Sequence, residues 1–187
     1  MAKNKGGKGT PATVAATQAK IEFTLHPYEV DPAADSYGEA AADALGVSHD
    51  RIFKTLVAEV DGALTVAVVP VSGSLDLKAL AAAAGGKRAT MADPQAAERS
   101  TGYVVGGISP LGQRRKLPTV IDASVSGLAT VYVSAGRRGL QIELAPADLI
   151  SLTAAVTADI ARRSGPLLRG PVGDVQGLQD HEHDGGH

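Results

Sequence analysis

Hydrophobic residues along the chain recur mainly with the two-residue period of β-strands. Two apolar runs, 51–60 and 63–71, are separated only by Asp61-Gly62, a sequence that strongly favours a two-residue hairpin turn. The same pattern predicts further strands at 21–30, 87–91, 119–122, 130–134 and 140–144, with an edge element at 156–162. Consecutive strands joined in this way indicate a largely antiparallel sheet.

Signals for helix starts lie between these groups of strands. Thr10-Pro11 predicts a first helix, because threonine suits the N-cap and proline the first helical position. Ser36 and Glu39 have the spacing of a capping box, and Gly46 ends the helix that it begins. Three more helices are predicted at 75–84, 94–99 and from 146 onward, after Ser74, Asp93-Pro94 and Pro146 respectively.

The succession of hairpins and helices predicts an α+β fold. Its sheet is expected to be mixed, largely antiparallel and curled into a barrel-like form, with helices around it. The predicted folded domain covers residues 10–163. Residues 1–9 are rich in Gly and Lys, and residues 164–187 in Gly, Asp and His, so both are predicted to be disordered tails.

Composition and charge narrow the classes of function. The chain contains no cysteine, which excludes disulfides, an enzymatic thiol and a cysteine zinc site. The net charge is -2, which does not suit a protein that grips a long phosphate backbone, so DNA is not an expected partner. Neither a run of about 18 apolar residues nor a signal peptide is present. We therefore expect a cytoplasmic protein without metal or cofactor.

Lys54 is the first candidate for chemistry. In the predicted strand it shares a face with Ile52 and Leu56, because alternate strand residues point the same way. A cation among apolar neighbours is paired, or lies at the mouth of a pocket where it can hold a carbonyl or phosphate oxygen. The alternative is a lysine that extends its amino group to solvent at the start of the strand.

The glycine-rich stretch 102–112 is the second candidate. Adjacent Gly106 and Gly107 allow the backbone to approach a ligand closely, and their N–H groups could converge on an oxyanion or phosphate. An ordinary loop is the alternative. If the basic clusters 113–116 and 137–138 lie beside this loop, they would suit the phosphates of an RNA 3′ end. Tyr28 and Tyr37 flank an Asp-Pro loop and could wall a pocket.

Several of these segments together resemble the YbaK/EbsC family of bacterial aminoacyl-tRNA deacylases. The resemblance runs in order from about residue 10 to 163. Its most specific part is the glycine-rich motif combined with the upstream Lys-Thr pair. The matching segments are His26-Pro27-Tyr28, Tyr37-Gly38-Glu39, Phe53-Lys54-Thr55-Leu56, Asp76-Leu77-Lys78, Met91-Ala92-Asp93, 100–103, 105–113 and Tyr132-Val133-Ser134.

The resemblance implies a fold shared with the editing domain of bacterial prolyl-tRNA synthetase, and a task. The expected substrate is mischarged Cys-tRNA(Pro), with Cys-tRNA(Cys) as a further one. A single synthetase pocket discriminates weakly among small amino acids, so a second site that hydrolyses the wrong product is expected. The implied mechanism is assisted by the substrate: the cysteinyl thiol attacks its own ester carbonyl, and the tRNA leaves. Such a mechanism needs positioning and charge stabilisation from the protein.

The resemblance also implies roles for individual residues. Lys54, Gly106 and Gly107 are the expected catalytic residues. Substrate binding is expected of Tyr28, Tyr37, Thr55, Ser109 and Ser134. The sequence departs from the family in two places: the turn 135–139 has arginine where the family usually has lysine, and Gln141 replaces an aspartate.

Two other functions remain open at this point. One is a deacylase of the same fold for another small amino acid, such as that of Ala-tRNA(Pro), which lacks a thiol and would need a bound water. The other is a binding module without catalysis, a partner of a synthetase or of tRNA 3′ ends. The expected partners are the aminoacyl-tRNA 3′ end and prolyl-tRNA synthetase in a ternary complex.

Overall fold

A computed structural model describes residues 9–34 and 36–163. Both predicted tails lie outside these residues, apart from Gly9. Among the described residues no helix is long and apolar enough to cross a membrane. The helices are α1 (Pro11–Gln18), α2 (Tyr37–Leu45), α3 (Leu77–Ala83), α4 (Pro94–Thr101) and α5 (Pro146–Thr153), with a 3-10 turn at Ala123–Gly127.

Ten strands form three sheets in this part of the chain. The strands are β1 (Phe23–Pro27), β2 (Phe53–Val60), β3 (Ala63–Pro70), β4 (Gly73–Leu75), β5 (Ala89–Met91), β6 (Thr119–Asp122), β7 (Val131–Arg137), β8 (Leu140–Leu144), β9 (Val156–Ala158) and β10 (Ala161–Arg163). The sheet orders are β1-β8-β7, β10-β4 and β5-β2-β3-β6-β9. Only the β3–β6 and β6–β9 pairs among them are parallel.

The predicted α+β class and the mixed, largely antiparallel pairing are confirmed. Closure into a barrel is not: in the described chain β1 pairs only with β8 and β9 only with β6, so these outer edges do not meet. The first and third sheets touch through a parallel bridge between Ile52 and Tyr132. This bridge brings the start of β2 beside β7 and so joins the two sheets at one place.

The alternation of β2 separates two apolar layers. Phe53 and Val57 face the largest core cluster, whereas Ala58 and Val60 pack on the opposite side with Leu80 of α3. A third, smaller cluster lies under α2 and contains Ile52 and Tyr132. Lys54 belongs to the side of β2 that α2 and α3 cover.

Most local signals in the sequence are confirmed. Asp61 and Gly62 have φ of 49° and 83°, as the predicted hairpin turn requires. Thr10, Ser36 and Asp93 each cap a helix with a side-chain oxygen.

The predicted cap at Ser74 is wrong. Ser74 lies in β4 opposite Arg162 of β10, and Asp76 caps α3 by accepting a hydrogen bond from the Ala79 amide. Pairing with a strand more than 80 residues away overrides a cap signal that only near neighbours would satisfy.

Asp122 fixes the C-terminal strands to the central sheet. This buried carboxylate accepts hydrogen bonds from the amides of Ile160 and Ala161, both at 3.0 Å, and from the Ser124 hydroxyl at 2.5 Å. Asp122→Ala leaves these donors without an acceptor and should lower the free energy of unfolding by about 2–3 kcal/mol. Urea denaturation followed by circular dichroism measures this loss.

Asp159→Ala is the matched control, because Asp159 is an exposed carboxylate in the same segment. It should change the free energy of unfolding by less than about 0.5 kcal/mol. Equal midpoints for the two variants would show that Asp122 has no such role.

Candidate functional site

The floor of the candidate site is the face of β2 and β7 that carries Lys54. Ile52 and Tyr132 pack in one cluster across the bridge between the strands. Two residues further along each strand, Lys54 and Ser134 lie on that same face. In β8, Gln141 is opposite Ser134 and, on its other side, opposite His26 of β1. Opposite residues of paired strands share a face, so this floor carries several polar side chains.

Ser134 connects the floor to the glycine-rich loop. Its hydroxyl donates to the Gly107 carbonyl at 3.0 Å and accepts from the Gly136 amide at 3.2 Å. The loop is anchored from below by Tyr103, whose hydroxyl donates to the Leu111 carbonyl at 2.6 Å. Burial raises the pKa of Tyr103 to about 12, so this donor keeps its proton at neutral pH.

Glycine is required at 107 by the closeness of the neighbouring backbone. A Cβ on Gly107 would lie 2.9 Å from Arg137 Cα and 3.0 Å from the Arg138 nitrogen. These are main-chain atoms that cannot rotate away. The turn between β7 and β8 therefore packs directly on the diglycine backbone, which confirms that the basic pair 137–138 lies beside the loop.

Arg138 and Tyr37 enclose Gly106. The Arg138 guanidinium lies 4.4 Å from the centre of the Tyr37 ring and donates to the Val105 carbonyl at 2.6 and 3.2 Å. Gly106 has a φ of 90°, and a Cβ there would lie 2.6 Å from Arg138 Nε and 2.9 Å from Tyr37 Cδ2. These contacts hold the loop against the first turn of α2.

The first turn of α2 also reaches Lys54. A Cβ on Gly38 would lie 3.9 Å from Lys54 Cβ, so the helix start packs over the lysine. Burial lowers the pKa of Lys54, and the charge of Glu39 opposes part of that shift. The first turn of α2 therefore contacts the diglycine loop through Tyr37 and lies near Lys54 through Gly38 and Glu39.

The remaining predicted residues occupy different positions. Tyr28 is half-buried, and its amide donates to the Gly139 carbonyl at 2.9 Å, beside the β7–β8 turn. Thr55 alternates with Phe53 and Val57, so it lies on the core side of β2, opposite Lys54. Its Oγ1 is buried and has no hydrogen-bond partner among the described residues. Ser109 is fully buried, and its hydroxyl accepts from the Leu111 amide at 3.2 Å.

The structure therefore joins Gly106, Gly107, Tyr37 and Ser134 by direct contacts, with Tyr28 at the edge. Lys54 lies on the face that carries Ser134 and under the turn that carries Tyr37. The structure places the Thr55 and Ser109 side chains beneath this surface, and the roles of all the residues stay predictions.

Three further residues lie at the site although the sequence alone does not place them there. The sequence indicates Glu39 only as part of a capping box and of the family segment 37–39, and Arg138 only as one charge of a cluster that could lie beside the loop. Gln141 is 6% exposed, and its Oε1 has no hydrogen-bond partner among the described residues. Its pairing with Ser134 could be inferred from the strand register of the hairpin 131–144, once the length of the turn is known.

A separate cavity of about 500 Å³ lies between the start of β1 and α5. It is lined by residues 20–24 and by Thr130, Glu143, Leu144, Ala145 and Asp148. None of the predicted site residues lines it. Its carboxylate Glu143 already accepts a hydrogen bond from Thr130 and pairs with His26 at 2.8 Å. The lysine that lines it, Lys20, is exposed, unlike half-buried Lys54.

The helical turn that packs over half-buried Lys54 also contacts the diglycine loop. A cation in such a place can hold an ester carbonyl or phosphate, and comparison with known proteins defines the class. Residues 31–152 match the family of aminoacyl-tRNA editing domains. The chain belongs to this family. It is also 40% identical to EbsC of Enterococcus faecalis, described as a candidate Cys-tRNA(Pro)/Cys-tRNA(Cys) deacylase. That similarity covers 87% of this chain and 99% of EbsC.

Two further likenesses involve prolyl-tRNA synthesis. The proline–tRNA ligase of Moorella thermoacetica is 32% identical over 98 residues, which are 52% of this chain and 17% of the ligase. A solved structure of a candidate trans-editing enzyme for prolyl-tRNA synthetase superposes with a TM-score of 0.70 at 24% identity. It covers 81% of this chain and 95% of that protein, and at this identity it supports the fold alone.

Gly107→Ala should destabilise the site, because the added Cβ meets backbone atoms of the β7–β8 turn. We expect a loss of roughly 1–3 kcal/mol in the free energy of unfolding, together with a loss of substrate turnover. Gly127→Ala is the control, since a Cβ there meets nothing within 4 Å. Thermal and urea denaturation measure both variants, and a Gly107→Ala protein as stable as Gly127→Ala would contradict the packing described.

The pKa of Lys54 should be measurably lower than 10.5, because burial disfavours the ammonium form. Glu39→Gln should lower it further, since that variant removes the charge that favours the ammonium. The 13Cε shift of labelled Lys54, followed against pH, gives both midpoints. Exposed Lys78 serves as an internal reference, and a rise of the Lys54 pKa in Glu39→Gln would contradict the stated effect of the Glu39 charge.

Proposed function

We propose that this chain is a trans-editing deacylase that clears mischarged Cys-tRNA(Pro), and also Cys-tRNA(Cys). The observation that carries the proposal is the half-buried Lys54 on the face whose Ser134 binds the diglycine loop. Membership in the aminoacyl-tRNA editing family supports the reaction class, and the EbsC likeness supports the substrate. The expected cytoplasmic location agrees with such a task and belongs to the same proposal.

Lys54 is proposed to hold the substrate oxygen on which negative charge develops. A cation that has lost part of its hydration interacts more strongly with such an oxygen than an exposed one does. Gly106 and Gly107 are proposed to let the backbone approach the ester closely. Tyr28, Tyr37 and Ser134 would bound the amino acid and the terminal nucleotide, while Thr55 and Ser109 would shape the pocket from below.

The nucleophile is proposed to be the thiol of the substrate. The chain has no cysteine, and a thiol held near its own ester carbonyl reacts with a high effective concentration. The sulfur–carbon bond forms as the bond from the carbonyl carbon to the ribose oxygen breaks, and the thiol proton ends on the ribose hydroxyl. Water then opens the cyclic thioester to free cysteine. The protein supplies position and charge stabilisation only.

The tRNA(Pro) acceptor end is the proposed partner, and prolyl-tRNA synthetase the proposed source of tRNA selection in a ternary complex. The small net charge of -2 favours contact with one end of the RNA over contact along its length.

Lys54→Met tests the proposal. Single-turnover deacylation of Cys-tRNA(Pro) should fall about 10²–10³-fold, the usual effect of losing one preorganised group at a developing oxyanion. The melting temperature should not fall, because methionine removes a desolvated charge from the site.

Lys78→Met controls for the loss of a lysine, since Lys78 is exposed on α3, and it should match the wild type. Equal cysteine release by wild type and Lys54→Met would remove Lys54 from the mechanism. Ala-tRNA(Pro) separates the chemistry: it has no thiol, so its cleavage at the rate of Cys-tRNA(Pro) would contradict attack by the substrate.

A further inference from the structure

Five exposed cations flank the first part of the glycine-rich loop, and the Glu98 carboxylate binds the Val105 amide between them. We define the basic strip as the loop residues 102–105 with Arg114, Arg115 and Lys116 at one end and Arg137 and Arg138 at the other. All five cations are exposed. None of them forms an ion pair with a carboxylate among the residues that the structure describes. The strip therefore offers free positive charge in a protein whose net charge is negative.

The backbone fixes both ends of the basic strip. The amides of Arg114 and Arg115 donate to the carbonyls of Thr101 and Ser100, both at 3.0 Å. A Cβ on Gly102 would lie 3.5 Å from Arg114 Cβ, so this cluster packs against the start of the loop. At the other end, Arg138 grips the Val105 carbonyl. The positions of these charges are set by α4 and by the β7–β8 turn.

The middle of the basic strip is apolar. Val104 is 56% exposed and Val105 is 40% exposed, and the Val105 amide is satisfied by the Glu98 carboxylate at 3.0 Å. An exposed apolar surface bounded by cations suits a strand whose bases are unpaired and whose linkages are anionic. Gly102 and Gly106, which flank this apolar part, are at most about 15 Å apart, because consecutive Cα atoms are about 3.8 Å apart. That length suits a few nucleotides and not a long duplex.

We propose that the basic strip binds the single-stranded 3′ end of the tRNA acceptor arm. Arg114, Arg115, Lys116 and Arg137 contact backbone phosphates, and a base packs on Val104 and Val105. The inference rests on the proposed function, since it supplies the path by which the ester reaches Lys54. An acidic surface of a partner protein is the competing occupant, and membership in the aminoacyl-tRNA editing family favours RNA.

RNA binding tests the strip without requiring catalysis. The probe is an uncharged tRNA(Pro) acceptor-stem hairpin with a single-stranded CCA end, and its Kd is measured by fluorescence anisotropy at several salt concentrations. Arg114→Gln/Arg115→Gln/Lys116→Gln should raise the Kd at least tenfold. The slope of log affinity against log salt should flatten by about 0.7 for each phosphate that the variant no longer neutralises. Val104→Ser should raise the Kd roughly threefold and leave that slope unchanged.

The matched control is Lys78→Gln/Lys87→Gln/Arg88→Gln, which removes three exposed cations at α3 and the turn after it and should bind within twofold of the wild type. Equal Kd values for the two triple variants would overturn the proposal. So would equal binding of a blunt hairpin, which assigns the contact to the duplex. Loss of synthetase binding in the strip variant, with RNA binding intact, would assign the surface to a protein.

Failure of the inference and failure of the proposed function give different results. If the wild type does not deacylate Cys-tRNA(Pro) but its RNA affinity depends on the basic strip, the proposed function is wrong and RNA binding by the strip is supported. If the wild type is active and the strip variant keeps its Kd and KM, the strip alone is wrong.

Discussion

The close packing of the Gly107 backbone on the turn between β7 and β8 is the constraint on which the site depends. Main-chain atoms meet there at distances that leave no room for a side chain. Ser134 and Arg138, from the same hairpin, then bind the loop at Gly107 and Val105. The β7–β8 hairpin thus carries Ser134 on the floor of the site and also the residues that bind the loop. The loop keeps a defined shape only if this hairpin is folded.

Electrostatics at Lys54 follow from the same arrangement. The start of α2 covers the lysine and takes away part of its hydration, while Glu39 on that turn limits the cost. Because Glu39 offsets only part of the lost hydration, the Lys54 ammonium can still attract a substrate oxygen. The five exposed cations of the basic strip add a second region that favours anions, on the surface beside the loop.

Local signals in the sequence predicted most of the elements and none of their distant pairings. The hairpin at Asp61-Gly62 and the caps at Thr10 and Ser36 depend on near neighbours and were predicted correctly. Ser74 failed because β4 pairs with β10. The closeness of the diglycine loop to Arg138, and of Lys54 to Glu39, arises only when separate strands and α2 assemble, so residue patterns alone could not predict either contact.

A binding surface built from peptide backbone limits how substrate choice can change. A side chain can change its rotamer or be replaced by mutation. The main chain at Gly106 and Gly107 can do neither, so its shape stays fixed. A change of specificity is therefore expected at side chains around the loop, among them Ser134 and Gln141, which lie opposite each other in β7 and β8. Because the Gln141 Oε1 has no hydrogen-bond partner among the described residues, a change of this side chain would alter the polarity of the floor.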